Sequence, residues 1–198
     1  MEDPPSIPPT RPPADRSLYF RGRDSALALT KMAPGAGNRP GRAAEVEDMD
    51  YLEYYRYLAD CRVKVLAAVQ ALPAGAVDRR PAGGRHSLRG LLNHLLAIEA
   101  FWLDGVLAGG NPPEDEIGLT LVELENAFAE RRRATETILR GLTPDQLRKD
   151  TRAPWDSTVR FRMDKVLLHF FTHEAHHRGQ LCLLIRQLGG EPPDVDVL

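Results

Sequence analysis

Between residue 51 and residue 190 the apolar residues recur at steps of three and four in four long stretches, each closed by glycine or proline. A 3.6-residue period of this kind is an amphipathic helix whose apolar stripe must be covered, and four such helices cover one another. The first stretch, MDYLEYYRYLADCRVKVLAAVQALPAG, repeats Tyr51, Leu58, Val65 and Leu72 every seven residues. Tyr55, Cys61 or Arg62, and Val69 fill the steps between, and the helix is expected to end at Leu72, before Pro73. Ser87 stands as an N-cap for LRGLLNHLLAIEAFWLDGVLAGG, with a stripe of Leu88, Leu91, Leu95, Ile98 and Trp102. The third helix opens on Thr120 and Glu123, spaced as a capping box, and carries Leu121, Leu124, Phe128, Thr135, Ile138 and Leu142. Its run of Arg131, Arg132 and Arg133 reads as a solvated face. Thr143-Pro144 caps a further short turn, and DTRAPWDSTVRFRM, with Val159 and Phe161 in alternation, predicts a small hairpin or an extended crossover. The last helix, DKVLLHFFTHEAHHRGQLCLLIRQLGG, stops at Gly189 and Gly190 ahead of Pro192 and Pro193. The expected fold is all-α, a four-helix bundle.

Half of the 16 prolines fall before residue 41, in stretches such as PPSIPPTRPPADR that carry no apolar period. Residues 1–46 are therefore expected to be a disordered extension to which no function is assigned, and residues 47–198 the bundle domain. The net charge of -2 gives no cationic field for phosphate backbones, so nucleic acid is not an expected partner. No apolar run approaches the ~20 residues that cross a bilayer, and the N-terminus lacks the apolar core of a signal peptide. Cys61 and Cys182 both fall in helical patterns and read as small buried hydrophobes in a reducing compartment. Together these lead to the expectation of a soluble, cytoplasmic protein with no membrane partner.

Histidines occupy positions that the pattern reserves for the core. On the last helix the stripe runs Val166, Phe170, His173, His177, Leu181, Leu184, Leu188, and on the second His94 lies between Leu91 and Ile98. Burying a neutral imidazole without a partner costs about 1–3 kcal/mol, so something must satisfy each of them. Three imidazoles on two facing helices, with open positions left over, form a reactive divalent metal site of the zinc or nickel kind, manganese being a further alternative. His169 falls toward the edge of the stripe, His176 is offset by about 100° from His177, and both read as flanking residues. Glu174 reads as an outer partner of the site or as half of a surface ion pair with Arg178. His86, in the loop before Ser87, is expected to face solvent.

His173, Glu174 and His177 also match the H-E-x-x-H pattern of zinc proteases. A third protease ligand is missing, because Gln180 and Leu183 stand where glycine and histidine are wanted and Glu191 follows the helix stop. The match is read as a coincidence of composition.

The opening MDYLEYYRYLADCRVKVL, the LLNHLLAIEAFWL of the second helix and the run HFFTHEAHHRGQLCLLIRQLGGEPPD together resemble the DinB/YfiT-like family of metal-binding four-helix bundles. The likeness covers about residues 49 to 198, and its strongest element joins His173, His177, Arg178, Gly179 and Gln180 to an upstream His94 and Trp102. It implies that His94, His173 and His177 are the metal ligands and that the bundle has a long crossover between helices. Gly179, in mid-helix, then implies close approach of another backbone. Family members with an assigned activity resemble thiol S-transferases using a low-molecular-weight thiol, or thiol-dependent isomerases. The implied function is metal-dependent addition of a small thiol to an electrophile, as in detoxification, with Trp102 and Phe101 at the pocket wall and Glu174 and Arg178 as catalytic candidates. The alternatives are a non-catalytic, stress-associated metal-binding bundle and a metal-dependent small-molecule hydrolase. Dimers are common among similar proteins, so a homodimer stands as an open expectation.

Overall fold

The structure is a computed structural model that describes residues 50–81, 84–109, 118–153 and 156–196. The expected N-terminal extension lies outside the described residues. Helix α1 spans Tyr51–Gln70 and begins where the Asp50 carboxylate accepts the amides of Leu52 and Glu53. Helix α2, Leu88–Ala100, is capped by the Ser87 hydroxyl as the sequence predicts. It runs on without a break into a π-helical segment, Phe101–Leu107, whose wider turn shows in the bond from the Ala108 amide to the Leu103 carbonyl at 2.9 Å.

Helix α3, Leu121–Gly141, starts on the expected Thr120–Glu123 capping box, and a second box on Thr143 and Gln146 opens the single turn of α4, Pro144–Leu147. Strands β1, Asp150–Ala153, and β2, Asp156–Arg162, pair antiparallel, with Thr151 opposite Phe161, which decides for the hairpin over the extended crossover that the sequence also allowed. Helix α5, Met163–Gln187, ends where Gly189 takes a φ of 83°, a left-handed conformation that glycine adopts without steric cost.

Helix α1 lies against α3 and α5, and α2 lies against the same two helices. The order around the bundle is therefore α1–α3–α2–α5, with α1 and α2 on one diagonal and α3 and α5 on the other. Contacts along the rods fix their directions. Glu125 meets Gln70 and Asp60 meets Arg132, so α1 and α3 are antiparallel. Asn93 meets Leu119 and Asp104 meets Arg131, so α2 and α3 are parallel. A connection from the end of α2 to the start of α3 must then join opposite ends of the bundle, and this is the long crossover that the resemblance implied.

Two apolar clusters fill the interior. One gathers Tyr55, Leu58, Trp102, Leu103, Phe170 and Phe171. The other gathers Val65, Val69, Leu91, Leu95, Phe128 and Leu181. Between them lies a polar layer with one residue from each long helix: Arg62, Glu99, Thr135 and Glu174, all buried.

Three sequence expectations are corrected. Arg131 is not part of a solvated face: it is only 10% exposed and forks onto Asp104, with its Nε donating to Thr135 Oγ1 at 3.1 Å. No atom would lie within 4 Å of a Cβ on Gly179, so close backbone approach does not explain that glycine. Leu88–Leu107 is a 20-residue helical rod long and apolar enough to cross a membrane, contrary to the sequence reading, and 67% of it is buried within the fold.

Candidate metal centre

Periodicity alone carries His94 inward, and the antiparallel packing of α2 on α5 sets it opposite His173 and His177. His94 is 5% exposed, and the other two are half-buried one turn apart. Ring centroids stand 5.5 Å apart for His94 and His173, 4.9 Å for His94 and His177, and 4.3 Å for His173 and His177. One nitrogen from each imidazole falls within 4.8 Å of the other two, and the Nε2 atoms of His173 and His177 are 3.1 Å apart.

Nitrogen ligands about 2.0–2.1 Å from one ion in tetrahedral array lie about 3.3 Å from each other. The His173–His177 pair already stands near that spacing, and His94 offers a nitrogen within 4.8 Å of both. The donor set therefore fits a divalent metal.

Electrostatics favour the same use. Burial, reinforced by His177, His86 and Arg85, lowers the His94 pKa to about 4. Burial and the surrounding imidazoles, His177 first, lower that of His173 to about 3, and burial also lowers His177. Near neutral pH all three are uncharged, each with a nitrogen lone pair to offer. Gln180 selects which nitrogen His177 presents. Its Oε1 lies 2.7 Å from His177 Nδ1 and accepts that proton, leaving Nε2 as the lone-pair atom directed at His173. The Gln180 amide nitrogen, 2.9 Å from His176 Nε2, donates in turn to that ring.

Every histidine of the chain joins this cluster. His86 stacks on His94 at 5.3 Å and is half-buried, which corrects its reading as a solvent-facing loop residue. His169 is exposed and meets the edge of buried Trp102 at 4.8 Å, and Phe101 packs edge-on against the same indole.

The two catalytic candidates lie differently. Glu174 is 2% exposed, and its carboxylate is engaged by Arg62 of α1, through Nε at 3.2 Å and Nη2 at 3.0 Å. The Arg178 guanidinium stands 5.2 Å over the Tyr57 ring, also on α1, and donates to the Tyr57 hydroxyl at 3.4 Å. Both side chains are thus committed toward α1 and not toward the imidazoles.

Sequence reasoning missed the layer behind the histidines. Arg62 also pairs with Glu99, Nη1 to Oε2, at 2.8 Å, and Glu99 Oε1 accepts from Tyr55 at 2.7 Å and Thr135 at 2.6 Å. Glu174 and Glu99 hold the guanidinium charged against the cost of burial. Burial and the Glu99 carboxylate push the Tyr55 phenol well above its usual range. The available signal was a charged residue inside an apolar stripe, as with Arg62 between Leu58 and Val65; Glu99, one position off the expected stripe of α2, gave none. A cleft of ≈ 360 Å³ near the start of α1, lined by Tyr51, Leu139, Leu147 and Arg162 among others, contains none of these groups.

Comparison with known proteins agrees with this architecture. YizA, an uncharacterized protein of Bacillus subtilis strain 168, is 22% identical over 152 residues, covering 71% of this chain and 89% of its own. A DinB-like protein of Bacillus cereus ATCC 10987 superposes with a TM-score of 0.59 at 19% identity, over 74% of this chain and 95% of that one. YfiT from Bacillus subtilis, described as a probable metal-dependent hydrolase with an unusual four-helix bundle topology, gives a TM-score of 0.59 at 18% identity, covering 77% and 95%. These likenesses show the fold. Residues 45–198 match the sequence profile of the DinB family, and with its bundle and its three clustered histidines the chain belongs to that family.

Proposed function

We propose that this protein is a metal-dependent enzyme that joins a low-molecular-weight thiol to a small electrophile. The observation that carries the reading is the convergence of three uncharged imidazoles, His94, His173 and His177, within 4.8 Å of one another, with Gln180 fixing the tautomer of one. His94, His173 and His177 would hold a divalent ion, which would supply the Lewis acidity that makes a thiol more acidic. The chain's own residues do the rest. His94, His173 and His177 bind and orient, Gln180 keeps the His177 proton on Nδ1, and Trp102 with His169 forms an aromatic wall beside the site that receives the electrophile's apolar part.

Activation of water by the same histidines is the second reading, favoured by the description of YfiT as a probable metal-dependent hydrolase. The environment of Glu174 weighs against it. In the H-E-x-x-H arrangement the glutamate takes a proton from the attacking water, and here that carboxylate is buried against Arg62. A thiol needs less help, because its ordinary pKa of about 8.5 is far below that of water.

The test is conjugation of a small thiol to a chromogenic aryl halide by zinc-, nickel- or manganese-loaded protein. Turnover that disappears with chelator and in His177→Ala is the expected result. Ester hydrolysis without added thiol, with no conjugation, would transfer the proposal to the hydrolase.

A further inference from the structure

We infer that Arg62 is a positioning residue for the histidine cluster, a buried clamp that sets the separation and register of the two helices that carry it. The inference rests on the metal-site reading above and adds to it a device in the core. Arg62 belongs to α1, which contributes none of the three histidines, yet its guanidinium joins the other two helices. Nη1 reaches Glu99 Oε2 at 2.8 Å, while Nη2 and Nε reach the two oxygens of Glu174 at 3.0 and 3.2 Å. Glu174 is the residue after His173, and Glu99 lies on the helix of His94, little more than one turn beyond it. One planar fork thus spans α2 and α5 at the level where their imidazoles meet.

Position and chemistry both argue that the fork serves geometry. Arg62 and Glu174 have side chains 2% exposed and Glu99 is fully buried, in a layer that interrupts two apolar clusters. A buried ion pair is weak as a source of net stability, since desolvation cancels most of the attraction, and apolar replacement of a whole buried set is often neutral or stabilising. Only Nε to Glu174 Oε1 is an aligned hydrogen bond; Nη1 with Glu99 Oε2 and Nη2 with Glu174 Oε2 are close charge contacts, so the geometric demand is that of one buried cation seated between two carboxylates on different helices. The opposite face of Glu99 is fixed too, by Tyr55 and Thr135 on Oε1 and by the Arg131 guanidinium 3.8 Å away. A shift of α2 along α5 would separate His94 from His173 and His177 and break the Arg62 fork in the same movement.

Arg62→Ala would leave two buried carboxylates uncompensated and is a poor probe. The test uses Arg62→Met/Glu99→Gln/Glu174→Met, which removes the charges together and keeps an acceptor for Tyr55 and Thr135, beside Arg62→Lys, which keeps a charge without the fork. Zinc affinity is measured by competition with a chromophoric chelator, and the His94 ring-proton resonances of the metal-free proteins by NMR. We expect the triple variant to melt at or near the wild-type temperature, to bind zinc 10–100-fold more weakly and to shift the His94 resonances, with Arg62→Lys between the two. A folded triple variant with zinc affinity within twofold of wild type and unmoved His94 resonances would overturn the clamp while leaving the metal site intact. Wild-type protein that binds no zinc, nickel or manganese would remove the metal reading. The clamp would then stand or fall on the NMR comparison alone, supported by shifted His94 resonances and refuted by unchanged ones.

Discussion

The Nε2 atoms of His173 and His177 face each other at 3.1 Å, one helical turn apart on α5. Since Gln180 Oε1 accepts from His177 Nδ1, His177 turns its Nε2 lone pair toward His173, and a metal shared by the two Nε2 atoms would need His173 to carry its own proton on Nδ1.

Metal content is the first prediction. Purified protein should carry near-stoichiometric divalent metal by elemental analysis, and His94→Ala and His173→Ala should each lose it. Loss in both variants would require a site joining α2 to α5, whereas retention in His94→Ala would restrict it to α5.

Gln180 should matter to affinity and not to folding. It is exposed, and its one strong contact toward the site is its Oε1, which accepts from His177 Nδ1 at 2.7 Å. Gln180→Leu should weaken zinc binding at least ~10-fold while changing metal-free stability by no more than about 0.5 kcal/mol. Gln180→Glu should strengthen binding, because a carboxylate makes the coordinating imidazole more basic. Isothermal titration with zinc and thermal melts of both variants check the pair of outcomes.

The metal-free protein should lose stability on mild acidification. His94 and His173 have folded pKa values of about 4 and about 3, below the ordinary value near 6.5. Between those limits the unfolded chain binds more protons than the folded one, so stability rises with pH across the window. It is complete above about pH 6.5 and falls as pH drops toward 4. Melting temperatures of chelator-treated protein from pH 7.5 to 4.5 should show this slope, and His94→Leu should flatten it.

Tyr55 and Thr135 share one acceptor, Glu99 Oε1, at 2.7 and 2.6 Å in the core. Tyr55→Phe and Thr135→Val should each cost about 1–2 kcal/mol in denaturant unfolding, since each removes a bond to a buried charged group. The two costs should not add, because loss of one donor leaves the oxygen more dependent on the other. Additivity within about 0.3 kcal/mol would contradict a shared acceptor.

What the sequence determined by itself was local: the period of each long helix, the caps at Ser87, Thr120 and Thr143, the glycine and proline stops, and the inward faces of His94, His173 and His177. Each depends on residues no more than a few positions apart, so one pass along the chain contains it. Phase along α2 was already less secure. The π-helical turn after Ala100 departs from the 3.6-residue period, and Glu99, off the expected stripe, is fully buried where Ile98 is only partly so. Only the tertiary structure decided which helix faces which. The diagonal order α1–α3–α2–α5 is what brings Arg62 to Glu174, 112 positions away, and to Glu99. A charged residue in an apolar stripe states that a partner must exist, because burial without one is too costly, but it cannot name the partner. That choice belongs to packing, and it converted Glu174 from a candidate beside the metal into part of the buried layer behind it.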